Sequence, residues 1–162
     1  MAEEEVEVAA SMKKNKVMVA IDDSEYSQHA LNWALNTLRS TLVDSEVVIY
    51  TARSPVDIGY LYASSWGTEL IKQLKESENK AAHDLLNKAK ATCADYGITA
   101  EGMTEIGDPK VAICDAAAEL NIQLLVIGSH GRGAVTRAFL GSVSNYCVNY
   151  AKCPVLVVKK AE

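Results

Sequence analysis

Several features that would place a protein in a common functional class are missing from this sequence. Its 162 residues contain no uninterrupted apolar run long enough to cross a membrane. The four cysteines include no C-x-x-C pair, and Cys147 and Cys153 have no histidines at zinc spacing. No cluster of lysine or arginine offsets the formal net charge of -5. We therefore expect neither nucleic acid nor an anionic membrane surface as a partner.

The cysteines and the first residues predict a cytosolic protein. We interpret all four cysteines as reduced thiols that mostly fill the core, as is usual in the cytosol. The N-terminus is acidic before it is basic and lacks the apolar segment of a signal peptide. We expect residues 1–14 to form a disordered acidic tail and residues 15–162 to form one domain. The predicted location is the cytoplasm, with the nucleus as an open alternative.

Strand-like and helix-like segments alternate along the whole chain. The predicted strands cover residues 16–21, 46–52, 98–106, 123–127 and 154–159. Helical spacing of apolar residues between them predicts helices that cover both faces of a parallel sheet. The fold class is therefore α/β, a single doubly wound domain with a five-stranded parallel sheet. We expect the strand order 3-2-1-4-5, with the less apolar third strand at an edge.

The longest predicted helix covers residues 67–96 and ends at Gly97. Its apolar side is expected to consist of five residues at helical spacing: Leu70, Leu74, Ala81, Leu85 and Ala89.

Two unusual turns follow the first and fourth strands. In an open parallel sheet, ligands bind beyond the carboxyl ends of the strands, where the strand order reverses. The expected order places the turn IDDSEYS, residues 21–27, beside the turn IGSHGRG, residues 127–133. Glycines at 128, 131, 133 and 141 let backbone amides approach phosphate oxygens, and Gly141 precedes a helix whose positive end favours anions. The two turns together predict a nucleotide site.

This site differs from the common phosphate-binding loops, because the sequence has neither a G-K-[ST] element nor G-x-G-x-x-G. Phosphate binding would rest on backbone amides and the hydroxyls of Ser142 and Ser144, which can also reach a Mg²⁺ ion. Arg132 and Arg137 either touch the phosphates or are simply solvated. Asp22 either accepts hydrogen bonds from ribose hydroxyls, holds a metal ion through water, or caps a helix.

The arrangement Gly128-x-x-Gly131, nine residues, then Gly141-Ser142 resembles the ATP-binding signature G-x-x-G-x9-G-[ST] of the universal stress protein family. The resemblance covers residues 16–160. It includes VAIDDSEYS, the Gly107-Asp108-Pro109 turn, VIGSHGRG, LGSVS and CPVLVVKK. The short chain and its YCVNYAKCPVLVVKK ending resemble the small plant members.

The resemblance implies a set of roles. Members with this signature bind ATP or AMP, so the implied cofactor is one of these nucleotides, with or without Mg²⁺. Asp22 would lie near the ribose and adenine, and the backbone of Ala52 would meet adenine. Members usually dimerise through the last strand, here residues 154–158, which begins at Pro154. The candidate nucleotide-binding residues are Asp22, Ala52, Gly128, Ser129, Gly131, Arg132, Gly141, Ser142, Val143 and Ser144.

The predicted function is an adenine-nucleotide-binding stress-response protein that acts as a dimeric sensor or regulator. Two alternatives stay open: a slow ATPase or self-phosphorylating protein, and a chaperone-like dimer with a vestigial pocket. No catalytic residue is assigned, because His130 has no nucleophile or carboxylate partner that the sequence identifies. Tyr60, Tyr62 and Trp66 form either a lid, a partner surface or packing over the sheet edge.

Overall fold

The computed structural model describes residues 14–55, 67–131 and 139–161. Its strands are β1 (Lys16–Ala20), β2 (Glu46–Arg53), β3 (Ala100–Ile106), β4 (Leu124–Gly128) and β5 (Val155–Val158). Its helices are α1 (Glu25–Thr37), α2 (Arg39–Val43), α3 (Gly67–Asp95), α4 (Pro109–Glu119) and α5 (Ser142–Tyr150). No described helix is both long enough and apolar enough to span a membrane. The expected tail at residues 1–14 lies outside the described residues except for Lys14.

The five strands form one parallel sheet in the order β3-β2-β1-β4-β5. The predicted order and the edge position of β3 are therefore confirmed. Alternate side chains of the strands point to opposite faces. Val17 and Val19 join a core with residues of α1, α2 and α3, whereas Met18 and Ala20 join a second core with residues of α4 and α5.

The order reversal falls at β1, which pairs with β2 on one side and with β4 on the other. Consecutive strands β1 and β2 are neighbours, but the chain reaches β4 only after crossing the sheet. Because Ala20 is paired with Ile127, the segments that leave β1 and β4 start side by side. The two predicted turns therefore lie side by side at the carboxyl end of the sheet.

The predicted buried side of α3 is confirmed at Ala89, and Leu85 is partly buried against the same core, but the other three predicted positions were wrong. Leu70, Leu74 and Ala81 are exposed, whereas Ile71, Ala82, Leu86, Ala89 and Cys93 are buried. Both sets have helical spacing, so periodicity alone does not separate them. The buried set contains two alanines and a cysteine, and such small side chains allow a helix to lie close to a sheet. Gly97 ends the helix as predicted, with φ at 75°.

The cysteines are free thiols, as expected, and Cys93 and Cys147 are buried in separate cores. Cys147 Sγ lies 3.8 Å from Cys114 Sγ. Burial in apolar surroundings disfavours the thiolate. It raises the pKa of Cys93 from 9.0 to about 11 and the pKa of Cys147 from 9.0 to about 12.

We expect the free energy of unfolding to fall as the pH rises above 9.0. An unfolded thiol ionises near that pH, but the folded thiols of Cys93 and Cys147 stay neutral until about 11 and about 12. Each neutral thiol thus contributes stability that is complete below pH 9.0 and lost at about 1.4 kcal/mol per pH unit up to its folded pKa. Urea unfolding at stepped pH measures the slope.

The double variant Cys93→Ala, Cys147→Ala should flatten this pH dependence. Val47→Ala, another core truncation, is the control and should lower stability without changing the slope. A double variant with the wild-type slope would contradict the assignment to thiols.

Candidate functional site

Asp22 and Gly131 bring the two turns into direct contact. The amide of Ser24 donates to Asp22 Oδ1 at 2.9 Å, and the amide of Asp22 donates to Ser27 Oγ at 2.9 Å. These bonds hold the carboxylate beside the β4 turn. A Cβ atom at position 131 would lie 2.9 Å from Asp22 Oδ2. Any residue other than glycine at position 131 would therefore force the carboxylate of Asp22 to move.

Gly128 is required by packing between α1 and β4. A Cβ atom there would lie 2.8 Å from the carbonyl oxygen of Tyr26, in the first turn of α1. Because that neighbour is backbone, it cannot move aside as a flexible side chain would. The close approach positions the N-terminus of α1, where the side chain of Ser24 accepts from the amide of Ser27 at 3.2 Å.

The β4 turn and the start of α5 are joined through Ser129. Its carbonyl oxygen accepts from the amide of Gly141 at 2.7 Å and from the hydroxyl of Ser144 at 2.7 Å. Ser144 is only 2% exposed, and its hydroxyl also lies 3.1 Å from the carbonyl oxygen of Gly141. A Cβ at Gly141 would lie 3.2 Å from the Cα of His130. The two glycine segments therefore meet although nine residues lie between Gly131 and Gly141.

The N-terminus of α5 offers amides to a ligand. Gly141 precedes the helix in an extended conformation, with no side-chain cap. The first bond of the helix runs from the amide of Asn145 to the carbonyl of Gly141, so the amides of residues 142–144 have no intrahelical acceptor. Ser142 is exposed, whereas the side chain of Val143 packs against the core. Val143 can therefore reach a ligand only through its backbone.

The amide and carbonyl groups of Ala52 point to the side of β2 on which β1 lies. In a parallel strand, alternate residues direct their amide and carbonyl groups to opposite neighbours. Tyr50 accepts from the amide of Ile21 at 2.8 Å on the β1 side, and Arg53 accepts from the amide of Gly107 at 2.8 Å on the β3 side. Ala52 therefore faces the β1 side, just beyond the point at which β1 ends.

Two residues of the site, Tyr26 and Ser27, belong to the predicted turn IDDSEYS but were not among the candidate nucleotide-binding residues. The ring of His130 lies 5.2 Å from the ring of Tyr26, and its Nδ1 atom lies 3.0 Å from Ser129 Oγ. Ser27 is buried and accepts from the amide of Asp22. The sequence signals these two residues only through their place in this turn, four and five residues after Asp22.

Some of the predicted residues lie outside the described part of the chain. These are Arg132, Arg137, Tyr60, Tyr62 and Trp66. Among the described residues, no group of three or more histidine, cysteine, aspartate or glutamate side chains converges well enough to hold a metal ion.

The profile of the Universal stress protein family matches residues 14–159. The chain belongs to this family. It is 29% identical over 160 residues to a universal stress protein A-like protein of Arabidopsis thaliana, with 90% of each chain covered. It is 30% identical over 146 residues to universal stress protein YxiE of Bacillus subtilis, covering 90% of this chain and 99% of that one.

Solved universal stress proteins share the fold. The UspA structure from Lactobacillus plantarum has a TM-score of 0.76 at 22% identity, covering 91% of this chain and 99% of that one. A family protein from Arabidopsis thaliana with AMP bound has a TM-score of 0.66 at 26% identity, covering 91% and 92%. A universal stress protein in complex with cAMP has a TM-score of 0.68 at 24% identity, covering 93% and 100%.

Replacement of Gly128 by alanine should destabilise this universal stress protein by about 1–3 kcal/mol, because the new methyl group overlaps backbone of α1. Gly107→Ala is the matched control: its nearest neighbour would be Ala112 Cβ at 3.5 Å, an ordinary contact. We expect it to change stability by less than about 0.5 kcal/mol. Urea unfolding measures both, and equal losses would contradict the packing role of Gly128.

Proposed function

We propose that this chain binds AMP or ATP between the β1 and β4 turns and acts as a dimeric, nucleotide-dependent stress-response regulator. The observation that carries the proposal is the direct approach of Asp22 to Gly131, beside the first amides of α5, which have no acceptor within the helix. It combines a carboxylate for hydroxyl groups with an amide cluster for phosphates in one crevice.

Each part of the nucleotide has a matching group. The carboxylate of Asp22 accepts hydrogen bonds from the ribose hydroxyls, and the backbone of Ala52 meets the edge of adenine. The phosphates lie against Gly128, Gly131 and the amides of residues 142–144. Ser129 and Ser144 act chiefly by joining the β4 turn to α5, since the carbonyl of the first accepts from the hydroxyl of the second. Arg132 is a further candidate for phosphate contact.

The relatives support an adenine nucleotide as ligand. The Arabidopsis thaliana family protein was solved with AMP, and another universal stress protein was solved with cAMP. A Mg²⁺ ion accompanying ATP would be held mainly by the phosphates, because the described side chains offer no cluster of metal ligands.

Calorimetric titration of nucleotide-free protein with AMP, and with ATP in the presence and absence of Mg²⁺, tests this proposal. We expect micromolar binding that weakens at least about tenfold in Gly131→Val, because the branched side chain would displace Asp22 and fill the phosphate space. Gly107→Ala, which lies outside the crevice, should bind like the wild type. Absence of binding by the wild type would refute the nucleotide site.

The dimer is proposed to form through β5, the strand that follows β4 at the edge of the sheet. The carbonyls of Pro154 and Val158 accept from β4, so residues at 155 and 157 direct their amides and carbonyls outward. The side chains of Val155, Leu156 and Val157 are only partly buried in one protomer. Such an apolar edge favours pairing with a second copy.

Val157→Pro should convert the dimer into a monomer, since proline removes an outward amide and leaves the bonds to β4 in place. Val157→Thr keeps the amide and the branched shape, so it should remain dimeric. Sedimentation velocity at several protein concentrations measures both masses. If Val157→Pro stays dimeric while its circular dichroism matches the wild type, pairing through β5 is wrong.

A further inference from the structure

A groove of about 630 Å³ lies between the first turn of α4 and one side of α5. We call it the α5 groove. Its lining consists of Lys110, Ser142, Asn145, Tyr146, Asn149 and Tyr150. The five α5 residues recur at helical spacing and form one stripe along the helix. The groove therefore begins at Ser142, in the proposed phosphate site, and continues away from it.

The end of the groove at Ser142 suits phosphate. Lys110 belongs to the first turn of α4, and the N-termini of α4 and α5 both carry partial positive charge. Lys110 Nζ pairs with Asp108 Oδ2 at 2.6 Å, and this exposed pair must open before the ammonium can bind a phosphate, at a small cost in free energy. None of the six lining residues is acidic.

The other end of the groove suits a nucleobase. The rings of Tyr146 and Tyr150 lie 4.5 Å apart with an angle of 36° between their planes, and Tyr150 is 66% exposed. Exposed aromatic faces stack with bases of any kind. The exposed side chain of Asn145 adds an amide that can hydrogen-bond to a base edge, whereas Asn149 Nδ2 already donates to the backbone carbonyl of Asn145 at 2.8 Å. From Ser142 to Tyr150 the helix rises about 12 Å, the length of one nucleoside with a phosphate.

We propose that the α5 groove receives the second nucleoside of a dinucleoside polyphosphate, whose first nucleotide occupies the site between the β1 and β4 turns. This proposal rests on the proposed function, since the first nucleotide must lie with its phosphates at Ser142. The phosphate chain would continue past Ser142 and Lys110, and the second base would stack on the tyrosine pair. The preferred ligand class is then two nucleosides joined by a phosphate chain.

Calorimetric titration with ATP and with diadenosine tetraphosphate tests the groove. We expect the tetraphosphate to bind about tenfold more tightly than ATP, with one molecule per protomer, because a second base gains a stacking contact. Tyr150→Ala should remove this advantage and leave ATP affinity within about twofold of the wild type. Tyr150→Phe keeps the aromatic face and should retain the advantage. Val148→Ala, on the same helix but outside the groove, is the matched control.

The outcomes separate the two proposals. If ATP binds and diadenosine tetraphosphate binds no more tightly, the groove proposal is overturned and the nucleotide site stands. Equal weakening of both ligands by Tyr150→Ala, or one tetraphosphate per two protomers, would also overturn the groove proposal. If neither ligand binds, both proposals fail. The groove proposal is supported if Tyr150→Ala binds the tetraphosphate no more tightly than ATP while Tyr150→Phe and Val148→Ala still bind it more tightly.

Discussion

The carbonyl oxygen of Ser129 accepts hydrogen bonds from the amide of Gly141 and from the buried hydroxyl of Ser144. The amide of the same residue donates to the carbonyl of Val158 in β5. One peptide segment thus connects the end of β4, the start of α5 and the edge strand. The direction of α5, and with it the position of its first amides, depends on these bonds. A buried carbonyl that loses its donors costs about 1–3 kcal/mol, so the arrangement is held firmly.

The glycines of the site act for different physical reasons. Gly128 allows backbone of α1 to approach β4, and Gly131 leaves room for a carboxylate. Gly141 lies against the backbone of His130 at the start of a helix without a side-chain cap. A signature that reads as one phosphate-binding motif therefore combines two packing requirements with one exposed helix end. Substitutions at the three positions should not be treated as equivalent.

Much of the fold followed from the sequence because each local signal agreed with the sheet. Apolar strands separated by helical patterns predicted the parallel sheet and its order, and Gly97 ended α3 with the positive φ that glycine favours. The buried side of α3 was predicted correctly at Ala89 but wrongly in the first half of the helix, because Leu70 and Leu74 have the right spacing and the larger side chains. Which stripe faces the sheet depends on the close packing of small residues such as Ala82, and a one-dimensional pattern does not contain that information.

The location of the candidate site was predictable from the sequence, but the contacts that connect its residues were not. The expected strand order placed the two turns together, so Asp22 and Gly131 were both expected at the carboxyl end of the sheet. The hydrogen bond from the Ser144 hydroxyl to Ser129 and the tilted ring contact between Tyr26 and His130 depend on contacts between distant segments. Sequence spacing does not reveal such contacts, because they arise only when α1 and α5 have packed on the sheet.

The amides at the start of α5 belong to the main chain, and every residue other than proline supplies one. The chemistry offered there therefore survives most exchanges of side chain, provided that the glycines and Ser144 keep the backbone in place. Few positions would then be fixed by the proposed nucleotide itself, and the surrounding side chains would be left open to variation. A chain that is only 29% identical over 160 residues to an Arabidopsis thaliana family member can differ from it at many side chains without losing such amides. Such a chain can also acquire different side chains around the start of α5, and selectivity among related ligands would evolve at those positions.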